Sequence, residues 1–103
     1  MPITVSTTLR DRFTRLAGQW KAEAVHMSNT AQMAMLRSYQ NIVGMGEPAV
    51  PMLLEELQRE PDHWFWALEA ITSENPVPPE ANGSIDEMAR AWIDWGRQKG
   101  YIA

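Results

Sequence analysis

The sequence predicts an all-α protein, a compact bundle of about five helices. Three observations predict this class. Apolar residues recur every three or four positions through most of the chain, and helix-starting and helix-stopping residues separate these segments. No run alternates between apolar and polar residues for long enough to form a convincing strand. The length of 103 residues fits a single domain that spans residues 1–103.

The first half of the chain predicts two helices. The first begins near Leu9, and one of its faces carries the apolar residues Leu9, Phe13, Leu16, Ala17, Trp20 and Ala24. A second helix starts around Asn29 and Gln32, which have the spacing of a capping box, and Gly44 stops it. One side of this second helix carries Met35, Tyr39, Ile42 and Val43.

The second half predicts three more helices. Pro48 begins the third, because a proline in the first turn removes no helical hydrogen bond, and its apolar positions are Val50, Leu53, Leu54 and Leu57. Pro61 ends it, and the fourth helix carries Trp64, Ala67, Leu68 and Ile71. After a proline-rich loop, Ser84 and Glu87 open the last helix and Gly100 ends it. The last helix has an apolar stripe of Met88, Trp92 and Trp95, flanked by Ile85, Ala89, Ile93 and Gly96.

Part of the chain resembles a HEAT-like helical repeat. Residues 46–57, with the sequence GEPAVPMLLEEL, resemble the first helix of such a repeat, and the segment after Pro61 and Asp62 resembles the second. Residues 34–46 look like the end of an earlier repeat, so the resemblance covers roughly residues 31–72. The fourth helix departs from the family, because HWFWALEAI stands where small and aliphatic residues are usual.

The resemblance implies a helical hairpin at the centre of the bundle. Two amphipathic helices joined by a tight turn cannot bury their faces alone, so the first and last helices would close the bundle around them. More broadly, the segments SYQNIVGMG, PDHWFWALEAIT and AWIDWGRQKGY look like those of a group of short, uncharacterised bacterial proteins. That likeness supports the fold and a bacterial origin more than it supports a function.

The composition excludes several classes of function. There are no cysteines, so disulfide scaffolds, cysteine–zinc sites and thiol catalysis are excluded. No apolar run approaches the roughly 18 residues that a membrane span needs, and the N-terminal segment MPITVSTTLR lacks the pattern of a signal peptide. We therefore expect a cytoplasmic protein that has no membrane partner.

No combination of residues indicates catalysis, a cofactor or a metal ion. A metal site needs three or four converging ligands, and Pro61 separates His63 from Glu60 at a helix break. Glu55 and Glu56 point about 100° apart on a helix, so they do not face each other as catalytic carboxylates do. The GMGEP turn lacks the preceding strand and the Lys-Ser/Thr pair of a phosphate-binding loop. We expect no enzyme activity, no cofactor and no metal site.

The candidate partner-binding residues lie in and just before the fourth helix: His63, Phe65, Trp66 and Glu69. On a helix Trp66 lies about 200° around from Trp64, with Phe65 between them, so apolar residues cover several sides. This pattern has two interpretations, and Trp95 shares the ambiguity. Either neighbours pack all round a central helix, which the pattern favours for Trp66, or exposed aromatic residues form a binding site. We expect His63 to be exposed.

We therefore interpret the protein as a non-catalytic, HEAT-like module that binds another protein of unknown identity. Solvated acidic side chains would surround the aromatic residues and attract a basic partner: Glu56, Glu60 and Glu69. The sequence does not indicate an oligomeric state.

The alternative is a small regulator of antitoxin or repressor type. Residues 1–46 carry five basic and two acidic side chains, whereas residues 47–103 carry four basic and eleven acidic ones. A basic first helix would then contact DNA while the acidic half holds a partner protein, although chance also distributes charges unevenly over solvated faces. Residues 3–17 are similar to the strand and first helix of ribbon-helix-helix repressors, in which Thr4 and Ser6 would read bases.

Overall fold

The computed structural model describes residues 5–103, and within them the chain forms six α-helices and a short 3₁₀ helix. The α-helices are α1 (Val5–Ala24), α2 (Thr30–Met35), α3 (Arg37–Gly44), α4 (Ala49–Arg59), α5 (Phe65–Thr72) and α6 (Ile85–Lys99). The 3₁₀ helix, Pro79–Ala81, lies in the loop before α6. No strand occurs in residues 5–103, and the helices form a compact bundle, so the predicted all-α fold class is confirmed.

Helix α1 begins at Val5, earlier than the predicted start near Leu9. Its buried face is the predicted one and contains Phe13, Leu16, Ala17, Trp20 and Ala24. Val5 and Ser6 belong to this helix, so the strand that the repressor-like alternative places at these two residues is wrong. Thr4 lies outside the described residues.

The second predicted helix is two helices, because the chain breaks at Leu36. The backbone of Leu36 is extended, with φ −60° and ψ 143°, and interrupts the helical hydrogen bonds between α2 and α3. Trp20 Nε1 donates to the carbonyl of Met33 at 2.9 Å, and Gln40 Nε2 donates to that of Ala34 at 2.7 Å. The last carbonyls of a helix lack helical partners, so these two bonds stabilise the break.

The break changes which residues of this segment are buried. Met35, predicted to share a face with Tyr39 and Ile42, is 71% exposed, whereas Tyr39 and Ile42 are buried. The buried positions of α2 are instead occupied by Met33 and Ala34. The prediction for Met35 is wrong because it assumes that one helix continues without interruption through Leu36.

Aromatic rings form the centre of the bundle, where α1, α3 and the start of α5 meet. The ring centroids of Trp20 and Trp64 lie 4.4 Å apart, and Tyr39 stacks on Trp64 with a centroid distance of 5.7 Å. Trp20, Trp64 and Trp92 are each no more than 1% exposed, which confirms their predicted places in the core. Around this centre, α4 packs against α6 and α1, and α5 packs against α3.

Basic side chains of α1 face acidic side chains of α4. Arg10 lies 3.0 Å from Glu55, and Lys21 lies 3.5 Å from Glu56 and 3.9 Å from Glu60. Glu56 is buried, so the prediction that it belongs to a solvated acidic surface is wrong. It is covered because α1 packs on this part of α4. Part of the charge difference between the two halves of the chain is therefore neutralised by ion pairs between α1 and the α4 region.

Gly96 lets α6 approach α4 closely. A Cβ at position 96 would lie 2.5 Å from Leu54 Cδ1, and both residues are buried. We expect Gly96→Ala to lower the free energy of unfolding by about 1–3 kcal/mol, because the added methyl group overlaps Leu54 Cδ1 and forces this fully buried side chain to repack. Urea unfolding followed by circular dichroism measures this change.

Gly18→Ala is the matched control for Gly96→Ala. Gly18 lies in α1, and nothing would lie within 4 Å of a Cβ there. Alanine at this position should stabilise the protein by about 0.5–1 kcal/mol through its helix propensity. If Gly96→Ala stabilised the protein as much as Gly18→Ala, the close approach of α4 and α6 would be contradicted.

The hydroxyl of Tyr39 joins α3 to the start of α5. It donates to the carbonyl of His63 at 2.9 Å and accepts from the N–H of Ala67 at 2.9 Å. Burial raises the pKa of Tyr39 far above the ordinary value of a tyrosine. The folded state therefore holds this proton more tightly than the unfolded state does.

We expect this difference to make stability fall as the pH rises above about 10, the pKa of an unfolded tyrosine. Below that pH both states hold the proton and the stabilisation is complete. Above that pH only the folded state keeps the Tyr39 proton, so the free energy of unfolding falls by up to about 1.4 kcal/mol per pH unit. Tyr39→Phe should flatten this dependence in urea unfolding, and an unchanged slope would contradict it. Tyr101→Phe is the comparison: its surface hydrogen bond to Glu47 also raises the pKa of Tyr101, but less than burial raises that of Tyr39, so this substitution should flatten the dependence less.

Candidate functional site

An apolar cleft opens between α2, the start of α5 and the start of α6. Its volume is about 200 Å³. The chain just before α5 and the first turn of this helix contribute His63, Phe65 and Trp66 to its lining. Leu68 and Ala67, on the buried side of α5, hold the helix in place against the core.

The N-terminal cap of α2 positions one wall of the cleft. Asn29 Oδ1 accepts from the backbone N–H of Gln32 at 3.1 Å, which confirms the predicted cap. Thr30 and Ala34 follow on the same helical face, because they are four residues apart, and both line the cleft.

The cap of α6 positions the opposite wall in the same way. Ser84 Oγ accepts from the backbone N–H of Glu87 at 3.3 Å, so α6 begins where the sequence predicts. Ile85 and Met88, three residues apart, share the face that lines the cleft, and Gly83 completes this wall. Both apolar side chains are only partly buried.

Trp66 is an exposed aromatic residue that lines this cleft. It is 53% exposed, whereas each of the other four tryptophans is no more than 7% exposed: Trp20, Trp64, Trp92 and Trp95. The bundle covers only the side of α5 that carries Ala67 and Leu68, and the opposite side remains open at Trp66 and Glu69. The interpretation of α5 as a helix packed on all sides is therefore wrong.

The structure brings three of the four predicted partner-binding residues to one cleft: His63, Phe65 and Trp66. Glu69 does not line it, but lies with Trp66 and Ala70 in a shallow depression that shares the Trp66 ring. Phe65 is buried. His63 is half-buried, so it is less exposed than expected, and its backbone carbonyl accepts a hydrogen bond from the buried Tyr39 hydroxyl.

Sequence reasoning missed the two walls that α2 and α6 provide. It assigned Ile85 and Met88 to the apolar surface of the last helix, and the fully buried positions of that helix are Ala89 and Trp92. The available signal was the width of the apolar surface, since Ile85 and Met88 extend it by one turn before the first buried residue, Ala89.

Trp95 does not belong to the cleft. It is buried, its Nε1 donates to Glu74 Oε1 at 3.1 Å, and its ring stacks on that of Tyr101. Tyr101 in turn donates to Glu47 at 2.7 Å. This cluster attaches the end of the chain to the rest of the bundle, which settles the ambiguity of Trp95 in favour of the core.

The described residues offer no metal centre and no membrane span. Within residues 5–103, no group of three or more His, Asp or Glu side chains is placed to hold a metal ion. No helix in this range combines the length and the apolar character needed to cross a bilayer.

No family model, curated protein or solved structure matches the chain. The HEAT-like resemblance of residues 31–72 and the bacterial origin therefore stay predictions.

Proposed function

We propose that the protein is a non-catalytic, HEAT-like interaction module of the bacterial cytoplasm, and that it binds a partner protein at the cleft between α2, α5 and α6. One observation carries the proposal: a half-exposed Trp66 borders an apolar cleft in a protein that buries its other tryptophans. Tryptophan is enriched among the residues that dominate binding energy at protein interfaces.

The size of the cleft supports a macromolecular partner over a small molecule. Its volume of about 200 Å³ is below the roughly 300–1,000 Å³ of typical small-molecule sites. A cleft of this size accommodates one or two side chains of a protein segment that spreads over the surrounding surface. Phe65, Ile85 and Met88 give it apolar walls for such an anchor.

We expect Trp66→Ala to weaken binding of the partner by about 2 kcal/mol or more, which is roughly thirtyfold in Kd. Stability should fall by less than about 1 kcal/mol, because half of the ring is already in solvent. Proteins captured from the native host by the wild-type chain identify the partner, and titration calorimetry then compares the variants with it.

Val25→Ala is the matched control for Trp66→Ala. Val25 is another large apolar side chain at the surface, 68% exposed, and it does not line the cleft. Val25→Ala should leave the affinity for the partner protein unchanged. A partner that binds wild type, Trp66→Ala and Val25→Ala equally well would show that the cleft is not the working surface.

Exposed arginines on α1 favour the second candidate, the DNA-contacting regulator. Arg12 and Arg15 are exposed, and neither forms an ion pair with another described residue, whereas Arg10 lies beside Glu55. Such a regulator would bind duplex DNA with an affinity that falls steeply with salt, since phosphate contacts release counterions. Fluorescence anisotropy with a labelled duplex tests this, and Arg12→Gln with Arg15→Gln should abolish the binding. Absence of duplex binding at low salt would eliminate this candidate.

A further inference from the structure

We propose that the segment bound at this cleft is both basic and apolar. A lysine or arginine of the partner lies against Trp66 and Glu69, and a neighbouring aliphatic side chain enters the cleft. This inference rests on the proposed function and specifies the chemistry of the partner.

The first argument is the charge beside the cleft. Glu69 follows Trp66 by three residues, so the two side chains share one face of α5, and both line the shallow depression next to the cleft. Among the residues that the structure describes, no lysine or arginine lines the cleft or this depression. Glu69 also forms no ion pair with another residue in the described range 5–103. Its negative charge is therefore available to a cation from outside.

The second argument is the contrast with α4. The acidic residues in and just after this helix face cations of the same chain: Glu55 pairs with Arg10, and Glu56 and Glu60 pair with Lys21. Basic side chains of α1 thus neutralise part of the negative charge of the second half of the chain. No described basic side chain neutralises Glu69 in this way. A positively charged segment is attracted to the side of the molecule where the cleft opens.

The third argument is the Trp66 ring itself. Tryptophan is the aromatic side chain that binds a cation on its face most strongly, and a half-exposed ring next to a carboxylate offers both attractions at once. The aliphatic stem of an arginine or lysine also packs well against an aromatic surface. Phe65, Ile85 and Met88 then receive the adjacent aliphatic side chain.

The test uses three synthetic peptides and the isotopically labelled full chain. One peptide alternates arginine and leucine, one alternates glutamate and leucine, and one alternates arginine and serine. Nuclear magnetic resonance follows the indole N–H of Trp66 and the backbone amides of Glu69, Ile85 and Met88. We expect the arginine–leucine peptide to shift these signals, the arginine–serine peptide to bind more weakly, and the glutamate–leucine peptide to leave them unchanged.

Two charge reversals make the test specific. Glu69→Lys should weaken binding of the arginine–leucine peptide about tenfold or more. Glu55→Lys changes the net charge by the same amount on the α1 side, and it should alter the affinity by less than about twofold. Glu69→Gln, which keeps the shape of the side chain, should fall between wild type and Glu69→Lys. Thermal melts of all variants establish that they are folded.

Three results would overturn the inference. These are an arginine–leucine peptide that does not shift the cleft signals, a glutamate–leucine peptide that binds there more tightly, and equal losses for Glu69→Lys and Glu55→Lys. The proposed function fails independently, if the natural partner binds Trp66→Ala as tightly as wild type. A partner that is lost on Trp66→Ala but tolerates Glu69→Lys would preserve the proposed function and overturn the basic character of its ligand.

Discussion

Replacing Trp20 with alanine is expected to lower the free energy of unfolding by about 3–5 kcal/mol. The side chain is 1% exposed, and its ring centroid lies 4.4 Å from that of Trp64 and 5.5 Å from that of Tyr39. The substitution removes this packing and also the bond from Trp20 Nε1 to the carbonyl of Met33, at the break between α2 and α3. Because a domain of this size is stable by only about 5–15 kcal/mol, the variant should lie close to unfolding. Urea unfolding followed by circular dichroism measures the loss.

A pair of phenylalanine substitutions separates packing from hydrogen bonding in this prediction. Trp20 and Trp64 are both buried, but only Trp20 Nε1 has a hydrogen-bond partner among the described residues. Trp20→Phe leaves the Met33 carbonyl without its indole donor, so it should cost about 1–3 kcal/mol more than Trp64→Phe. Equal costs for the two substitutions would contradict a stabilising role for the Trp20–Met33 bond.

Leu54→Ala is expected to lower the free energy of unfolding by about 2–5 kcal/mol. Leu54 has no exposed surface and lies on α4 opposite Gly96 of α6. Truncation leaves a cavity that the neighbouring helices fill only in part. Met35→Ala is the control: Met35 is 71% exposed, so the change should stay within about 0.5 kcal/mol. A cost for Leu54→Ala as small as that for Met35→Ala would contradict the assigned contact between α4 and α6.

The contact also predicts coupling between Leu54→Ala and Gly96→Ala. The methyl group added at position 96 meets Leu54 Cδ1, and truncation of Leu54 removes that atom. The double variant should therefore lose less stability than the two single losses added together, by about 0.5–3 kcal/mol. Strict additivity would place the two side chains out of contact.

Helix faces and helix ends could be predicted from the sequence because they depend on residues close together in the chain. The apolar spacing in α1 identifies its buried face from Phe13 to Ala24. Asn29 and Ser84 cap their helices as predicted, and Gly100 adopts the left-handed conformation, φ 83°, that ends α6. These features follow from the helical period and from hydrogen bonds that span three or four residues, so they can be predicted from the sequence alone.

The candidate site could be predicted only in part. The unusual aromatic content of HWFWALEAI indicated three of the candidate residues, His63, Phe65 and Trp66, and these do share a cleft. The pattern did not indicate which side of α5 the bundle leaves open, and it favoured burial of Trp66. It also did not show that Thr30 and Ala34 from α2 complete the same cleft.

The sequence by itself determined that the protein is helical, where several of its helices begin and end, and that Trp20, Trp64 and Trp92 lie in the core. Only the tertiary structure decided the break at Leu36, the burial of Glu56 and the exposure of Trp66. The physical reason is the same in each case. Each depends on parts of the chain that are distant in sequence: Trp20 bonds at the break, α1 covers Glu56, and no described helix covers Trp66. Helical periodicity reports only on residues that are close together in the chain.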